Sequence, residues 1–298
     1  MSDLIVQPAA QPDSPLSIFI MGPTASGKTD LALAINNEYP VDLISVDSAL
    51  VYKGMDIGTA KPDAETLRQA PHALIDIIEP EEVYSAGQFC DDALSLMAHS
   101  VEDQRIPLLV GGTMLYFNAL QKGMADLPDV PDSVKQAIHL EVKQVGIEAM
   151  HARLKQVDPV SAERIHPNDP QRIKRALELY DSTGKTLTEY WQEQEQQTQH
   201  NFPYRRLKIA LVPPDRVELR KRITQRFDMM LEQGFIEEVE SLYKRGDLNV
   251  EMPSIRAVGY RQVWLYLAGE YGFEEMLSLI HISEPTRPPS TSRMPSSA

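Results

Sequence analysis

Cysteine is almost absent: Cys90 stands alone in 298 residues, which excludes an internal disulfide and fits a reducing compartment. Positive charge is also scarce. Lys and Arg number 29 against 43 Asp and Glu, a net charge of −14, and that balance argues against a nucleic-acid partner, because phosphate binding draws on Lys and Arg, while leaving a local basic face open. No apolar run approaches the roughly 20 residues that a membrane helix needs. Residues 1–15 lack the basic start and long apolar middle of a signal peptide, so they read as a loose, disordered arm. These deficits point to a cytoplasmic protein without membrane contact. The remainder, 42% hydrophobic and 24% charged, is ordinary globular composition with chain enough for one large domain or two of usual size.

The apolar run Leu16–Met21 leads directly into Gly22-Pro23-Thr24-Ala25-Ser26-Gly27-Lys28-Thr29. The octet fits GxxxxGK[ST], a phosphate-cradling loop. Gly22 and Gly27 let the backbone curl until its N–H groups point inward, Lys28 adds a point charge, and a following helix directs its positive dipole end at the same spot. Thr29 would present a hydroxyl to Mg²⁺. Both flanks suit the motif, with a buried-strand pattern before it and a helical stretch carrying Leu31, Ala32, Leu33 and Ile35 after it.

Further strands are expected at 41–46, ending at Asp47-Ser48-Ala49-Leu50, at 74–78, at 106–110, ending at Gly111-Gly112-Thr113, and at 207–212. A long helix is expected over 86–104. Alternation of this kind predicts an α/β fold with a doubly wound parallel sheet of the P-loop NTPase-like type. In such sheets ligands sit beyond the carboxyl ends of the strands, where Asp47 falls. Residues 123–204 show helical windows and no convincing strand, which predicts an all-helical insertion between two parts of a core at 16–122 and 205–278. One helix there is sharply bounded: Asp169 can cap it, Pro170 suits its first position and Gly184 stops it.

Basic residues are few but clustered, at Arg172, Lys174 and Arg175, at Arg205, Arg206 and Lys208, and from Arg216 through Arg220, Lys221, Arg222 and Arg226. Asp215 and Glu218 resemble a capping box for a helix whose inward stripe is Leu219, Ile223, Phe227, Met230 and Leu231. That helix follows a strand, so Arg222 is a candidate second clamp on phosphate, with a solvated surface arginine as the competing reading. On these residues alone, a small-molecule kinase with Asp47 on Mg²⁺ and a non-catalytic RNA-binding or nucleotide-sensing module both stay open.

Six motifs in order narrow the choice. Gly22–Thr29, Ser45-Val46-Asp47-Ser48-Ala49-Leu50, Tyr52–Pro62, Gly111-Gly112-Thr113-Met114-Leu115-Tyr116, Asp169–Glu178 and Arg256-Ala257-Val258-Gly259-Tyr260-Arg261 together resemble the tRNA dimethylallyltransferase family over residues 16 to about 278. The resemblance implies transfer of a dimethylallyl group from dimethylallyl diphosphate to the N6 amine of the adenosine 3′ of the anticodon. It assigns Asp47 as general base, Thr113 to the reacting centre, and the 22–29 loop, Mg²⁺ at Thr29 and Arg222 to the diphosphate. Contacts with the tRNA anticodon arm would come from Asp47, Ser48, Ala49 and Leu50, from Gln171, Arg172, Ile173, Lys174 and Arg175, and from Arg256 to Arg261. A monomer is expected.

The chain departs from the family at its end. Members continue past the last helix with a basic Lys-Arg-Gln segment and a Trp-Leu-Arg stretch that contacts tRNA. Residues 279–298 instead turn Pro/Ser-rich, a composition that predicts an atypical disordered tail. The string Leu279-Ile280-His281-Ile282-Ser283-Glu284-Pro285-Thr286-Arg287-Pro288 resembles translated adapter or vector sequence, which implies a truncated or misassembled reading frame.

Overall fold

The computed structural model describes residues 3–8, 14–123, 127–197, 202–213 and 215–283. The chain divides into two compact units, one of residues 1–120 and 203–298, the other of 121–202.

In the first unit, strands β1 (Asp3–Pro8), β2 (Leu16–Met21), β3 (Val41–Val46), β4 (His72–Ala73), β5 (Ile106–Gly111) and β6 (Arg205–Val212) form one sheet in the order β1-β6-β2-β5-β3-β4. The architecture is mixed α/β. β2 to β6 run parallel and β1 pairs antiparallel with β6 at the edge. Alternation along β2 explains how both faces are covered. Ile18 and Ile20 join Val41, Leu43, Leu108 and Val110 around Ala32 of α1 (Lys28–Glu38), while Phe19 turns the other way and meets Phe117 of α4 (Met114–Lys122) with ring centroids 5.4 Å apart. Two further helices lie between β3 and β5 in sequence, the short α2 (Ala64–Gln69) and α3 (Ala86–Glu102). Ser85 and Gln88 close a capping box at the start of α3.

The second unit consists of α5 (Asp132–Val157), broken at Gly146 (φ 81°), α6 (Pro159–Arg164), α7 (Pro170–Thr183) and α8 (Leu187–Gln197). Its core gathers Ile138, Met150, Leu154, Ile173 and Leu177. Buried Asp158 secures the joint between helices by accepting from Ser161 N–H (3.0 Å), Thr188 N–H (3.0 Å) and Thr188 Oγ1 (2.6 Å). Such bonds offset the desolvation of the carboxylate.

After β6 the first unit continues through α9 (Arg216–Glu232), α10 (Phe235–Lys244), α11 (Tyr260–Leu267) and α12 (Phe273–Ser283). Their apolar faces meet in a second core built on Phe227, Phe235, Val239, Tyr260, Val263 and Met276.

Three expectations are corrected. Residues 3–8 are no loose arm, because their backbone covers the otherwise open edge of β6. The apolar stretch 74–78 is not a strand: Leu74 and Asp76 take φ of 64° and 55°, in the left-handed region that breaks a ladder. Its N–H groups at Asp76, Ile77 and Ile78 bond instead to the carbonyls of Leu50 and Val51. The irregular tail does not start at 279, since α12 runs to Ser283 and Ile280 is buried in the second core; residues 284–298 lie outside the described residues.

Candidate functional site

The carboxyl ends of β2, β3 and β5 lie side by side, so three loops of unrelated sequence converge. Met21 pairs with Gly111, and Gly111 with Val46. Close approach here depends on glycine: a Cβ on Gly111 would fall 2.0 Å from the Val46 carbonyl oxygen, and one on Gly22 2.8 Å from that of Leu211. Those three strand ends open onto a cavity of about 1030 Å³.

The loop after β2 contributes Gly22, Pro23 and Thr24 to the cavity wall. Gly27 takes φ 86° and turns the chain into α1, whose first residue is Lys28. Lys28 Nζ donates to the Pro23 carbonyl at 2.7 Å, which folds the ammonium over the loop. Ala25 also sits at positive φ, 60°, and Ser26 Oγ is buried without a hydrogen-bond partner among the described residues. Thr29 is exposed on the first turn. A curl of this kind aims backbone donors and a helix N-terminus at one place and suits an anion.

After β3, Asp47 lines the cavity with Ser48 and Ala49. Its Oδ1 accepts from the Ala49 N–H at 2.9 Å. Burial holds the Asp47 carboxyl above the usual carboxylate range, against the opposing pull of the Ala49 and Leu50 N–H groups, of Lys28 and of Arg226. Burial likewise brings Lys28 down from 10.5 to about 8, with Asp47 working to raise it and Arg226 to lower it. The three groups therefore form one electrostatic cluster, two cations about one carboxylate.

After β5, Thr113 joins the same wall. Its Oγ1 accepts from the Ser48 N–H at 3.0 Å, and its own N–H donates to the Val46 carbonyl at 3.2 Å. Thr113 thus ties the ends of β3 and β5 and fixes the turn on which Asp47 sits. Behind it, Tyr116 stacks on Phe89 at 4.4 Å, and burial first, then Tyr52, Asp47 and Cys90, pushes its phenol up to about 12.

Apolar side chains complete the cavity. Leu219, Ile223, Phe227 and Met230 of α9 face it, together with Met114, Val258 and Ile280. Arg220 and Arg226 line it as well. Arg222 does not: its guanidinium is exposed and pairs with Glu218 at 3.4 Å, which also leaves Glu218 outside the expected capping box, since Asp215 alone accepts from the Val217 N–H. Helical geometry accounts for the difference. At about 100° per residue, Arg222 lies about 100° from Ile223 and Arg226 only about 60° from it, so Arg226 reaches the inward stripe.

The expected RNA contacts divide. Gln171 and Arg172 are exposed on the first turn of α7 and Lys174 and Arg175 are half-buried, whereas Ile173 is fully buried in the helical core. Arg256, Val258 and Arg261 are exposed, Ala257, Val258 and Gly259 reach the cavity, and the Tyr260 ring is buried with its hydroxyl on Glu238 at 2.5 Å. Contact through Ile173 is therefore corrected: it belongs to the helical core and offers no side chain to a partner, whereas Tyr260, though packed in the second core, also lines the cavity. Gly58 and Thr59, inside the Tyr52–Pro62 motif but given no role there, and Arg220 and Arg226, noted only as part of a basic cluster, are cavity residues; the helical wheel of α9 could have found Arg226.

The profile of the IPP transferase family matches residues 50–285. The chain is 58% identical to a tRNA dimethylallyltransferase of Thioalkalivibrio sulfidiphilus over 268 residues, 90% of this chain and 83% of that protein. It is 56% identical to tRNA dimethylallyltransferase 2 of Hahella chejuensis over 273 residues, 88% of this chain and 82% of that one. Among solved structures, the full-length tRNA isopentenylpyrophosphate transferase of Bacillus halodurans superposes with a TM-score of 0.62 at 35% identity, covering 91% of this chain and 83% of its own. The phosphate-type loop, the carboxylate beside it and these likenesses agree, and the chain belongs to the tRNA dimethylallyltransferase family.

Proposed function

We propose that this protein joins dimethylallyl diphosphate to the N6 amine of the adenosine next to the anticodon and releases diphosphate. The observation that carries the reading is the convergence, at one cavity with a largely apolar wall, of a phosphate-type loop, the carboxylate of Asp47 and the guanidinium of Arg226. An isoprenoid diphosphate needs that pairing of anion site and apolar wall. The kinase reading is set aside with family membership.

In the proposed reaction the allylic carbon–oxygen bond breaks as the carbon–nitrogen bond forms, and N6 gives up a proton. An adenine amine is a weak nucleophile because its lone pair is delocalised, so Asp47 accepting that proton lowers the barrier; a pKa above the ordinary range brings the base closer to the working pH. The leaving diphosphate gathers charge, which the loop N–H groups, Lys28 and Arg226 stabilise more in the transition state than before it. Thr113 holds the Asp47 turn through Ser48.

Mg²⁺ fits this donor set in one way only. The described residues hold no group of three or more His, Cys, Asp or Glu side chains suited to a metal, so the ion would take Thr29 Oγ1, diphosphate oxygens and water, its usual habit with phosphates. Ser26 Oγ, buried and without a partner among the described residues, is a further group for a phosphate oxygen. Bound there, Mg²⁺ would neutralise charge on the leaving group.

The adenosine must leave its stack to reach the cavity. We assign the anticodon arm to the exposed residues Gln171 and Arg172 with Lys174 and Arg175, and the extruded base to the Asp47–Leu50 turn and the 256–261 segment. The fold is of the P-loop NTPase-like, doubly wound kind with the helical unit as an insertion, and the working form is a cytoplasmic monomer. Incubation with labelled dimethylallyl diphosphate and a tRNA bearing adenosine 3′ of its anticodon tests this: label should appear on N6 of that base, and label on another base, or none, refutes it.

A further inference from the structure

The cavity wall opposite in sequence to the phosphate loop is the turn at residues 55–61, which contributes Gly58 and Thr59. Three consecutive N–H groups of that turn, at Asp56, Ile57 and Gly58, point at one carboxylate, Glu238 of α10, at 2.9, 2.7 and 3.2 Å. The same carboxylate accepts the Tyr260 hydroxyl at 2.5 Å. On the other side of the turn, the nearly buried Lys61 ammonium bonds to Asp56 (2.5 Å), to Asp76 and to the Tyr52 carbonyl (3.0 Å).

Successive N–H groups converging on one anion form the same kind of concavity that other proteins use for phosphate. Here the anion is built into the fold. The turn has no slack against its support: a Cβ on Gly58 would lie 2.1 Å from the Phe235 ring and 2.6 Å from that of Tyr260. Without the carboxylate, three donors facing one point lose their charge-assisted partner and the turn relaxes, and with the rings filling one side, it moves into the cavity beside Asp47 and Thr113.

We infer that Glu238 is a positioning residue for transfer: its carboxylate sets the Gly58–Thr59 wall against which the substrates are aligned. The inference rests on the proposed transfer reaction. The anion site is held by other elements, β2, α1 and α9, so Glu238 governs alignment and leaves diphosphate binding alone.

The test uses the full chain and compares wild type, Glu238→Gln and Glu237→Gln, the last an exposed neighbour on α10 as a control for charge. An amide at 238 keeps the size but replaces one of the two accepting oxygens, Oε2 for Asp56 and Ile57 or Oε1 for Gly58 and Tyr260, by a donor, and removes the charge. Expected for Glu238→Gln are diphosphate affinity within about twofold of wild type and a kcat for dimethylallyl transfer lower by about tenfold or more, as misalignment requires, with Glu237→Gln at the wild-type rate. Unchanged transfer by Glu238→Gln overturns the inference. Should that variant fail to bind diphosphate, Glu238→Asp, which keeps the charge, is read by the same two measures. Loss of both in the Asp variant makes Glu238 a general stability residue and also overturns the inference. Wild type that transfers nothing refutes the proposed function instead.

Discussion

Replacing Gly111 by alanine tests the packing on which the site depends. The added Cβ would meet the Val46 oxygen at 2.0 Å, its carbonyl carbon at 2.4 Å and its Cα at 2.8 Å. All three are backbone atoms of the paired strand, so no side-chain rotation relieves the clash and β3 must separate from β5. Overpacking costs about 1–3 kcal/mol in ordinary cores; at roughly 2–4 °C per kcal/mol for chains of comparable size, melting should fall by about 2–12 °C. Function should suffer more. Val46 precedes Asp47, and Thr113, two residues past Gly111, bonds to both Val46 and Ser48, so the displacement falls on the carboxylate; a shift of about 1 Å in a reacting group costs on the order of 100-fold. The assay is thermal melting followed by dimethylallyl transfer well below the lowered transition. A variant with wild-type melting and wild-type transfer would refute the claim that these strand ends are locked together.

The cluster of Lys28, Asp47 and Arg226 yields further outcomes. Lys28, brought down to about 8, is increasingly neutral above that pH in the free protein. Diphosphate affinity should therefore fall as pH rises through about 8, with proton uptake on binding, and calorimetry in two buffers reads that uptake. Because Asp47 raises the Lys28 pKa, Asp47→Asn should move the alkaline midpoint downward; an upward shift contradicts the pairing. Linkage gives the stability sign: a lysine depressed in the folded state is an unfavourable contribution below about 8 that disappears as pH rises toward 10.5. Arg226→Ala should weaken diphosphate binding by about 10- to 100-fold, the scale of one lost charge-assisted bond, whereas Arg222→Ala, whose partner Glu218 is on the surface, should change it by only about threefold or less. The reverse ranking in a binding titration would show that the helix presents its other arginine.

Much of this arrangement was legible in local sequence. The 22–29 octet carries its own spacing and sits between the strand and helix expected of it, and Asp169, Pro170 and Gly184 bound α7 because a cap, a fixed φ and a left-handed residue are each one-residue requirements. Illegible features rest on contacts far apart in sequence. Glu238 meets Asp56 across 182 residues, and no pattern around either announces the other. Lys61 looks like an ordinary loop lysine until Asp56 and Asp76 are seen beside it. The apolar letters of 74–78 imitate a strand because periodicity cannot register positive φ. Arg226 stands apart from these: on a helical wheel it lies about 40° nearer than Arg222 to the stripe through Ile223, so the pattern of α9 already favours it for the cavity.

The central claim is that Asp47 takes the proton from N6 while a separate anion site holds the diphosphate. Single-turnover transfer to tRNA by Asp47→Asn, measured beside its affinity for inorganic diphosphate, tests it most directly. The account predicts a transfer rate lower by about 100- to 10,000-fold, the contribution of a general base, with diphosphate still bound at neutral pH. Transfer at the wild-type rate by that variant would contradict it.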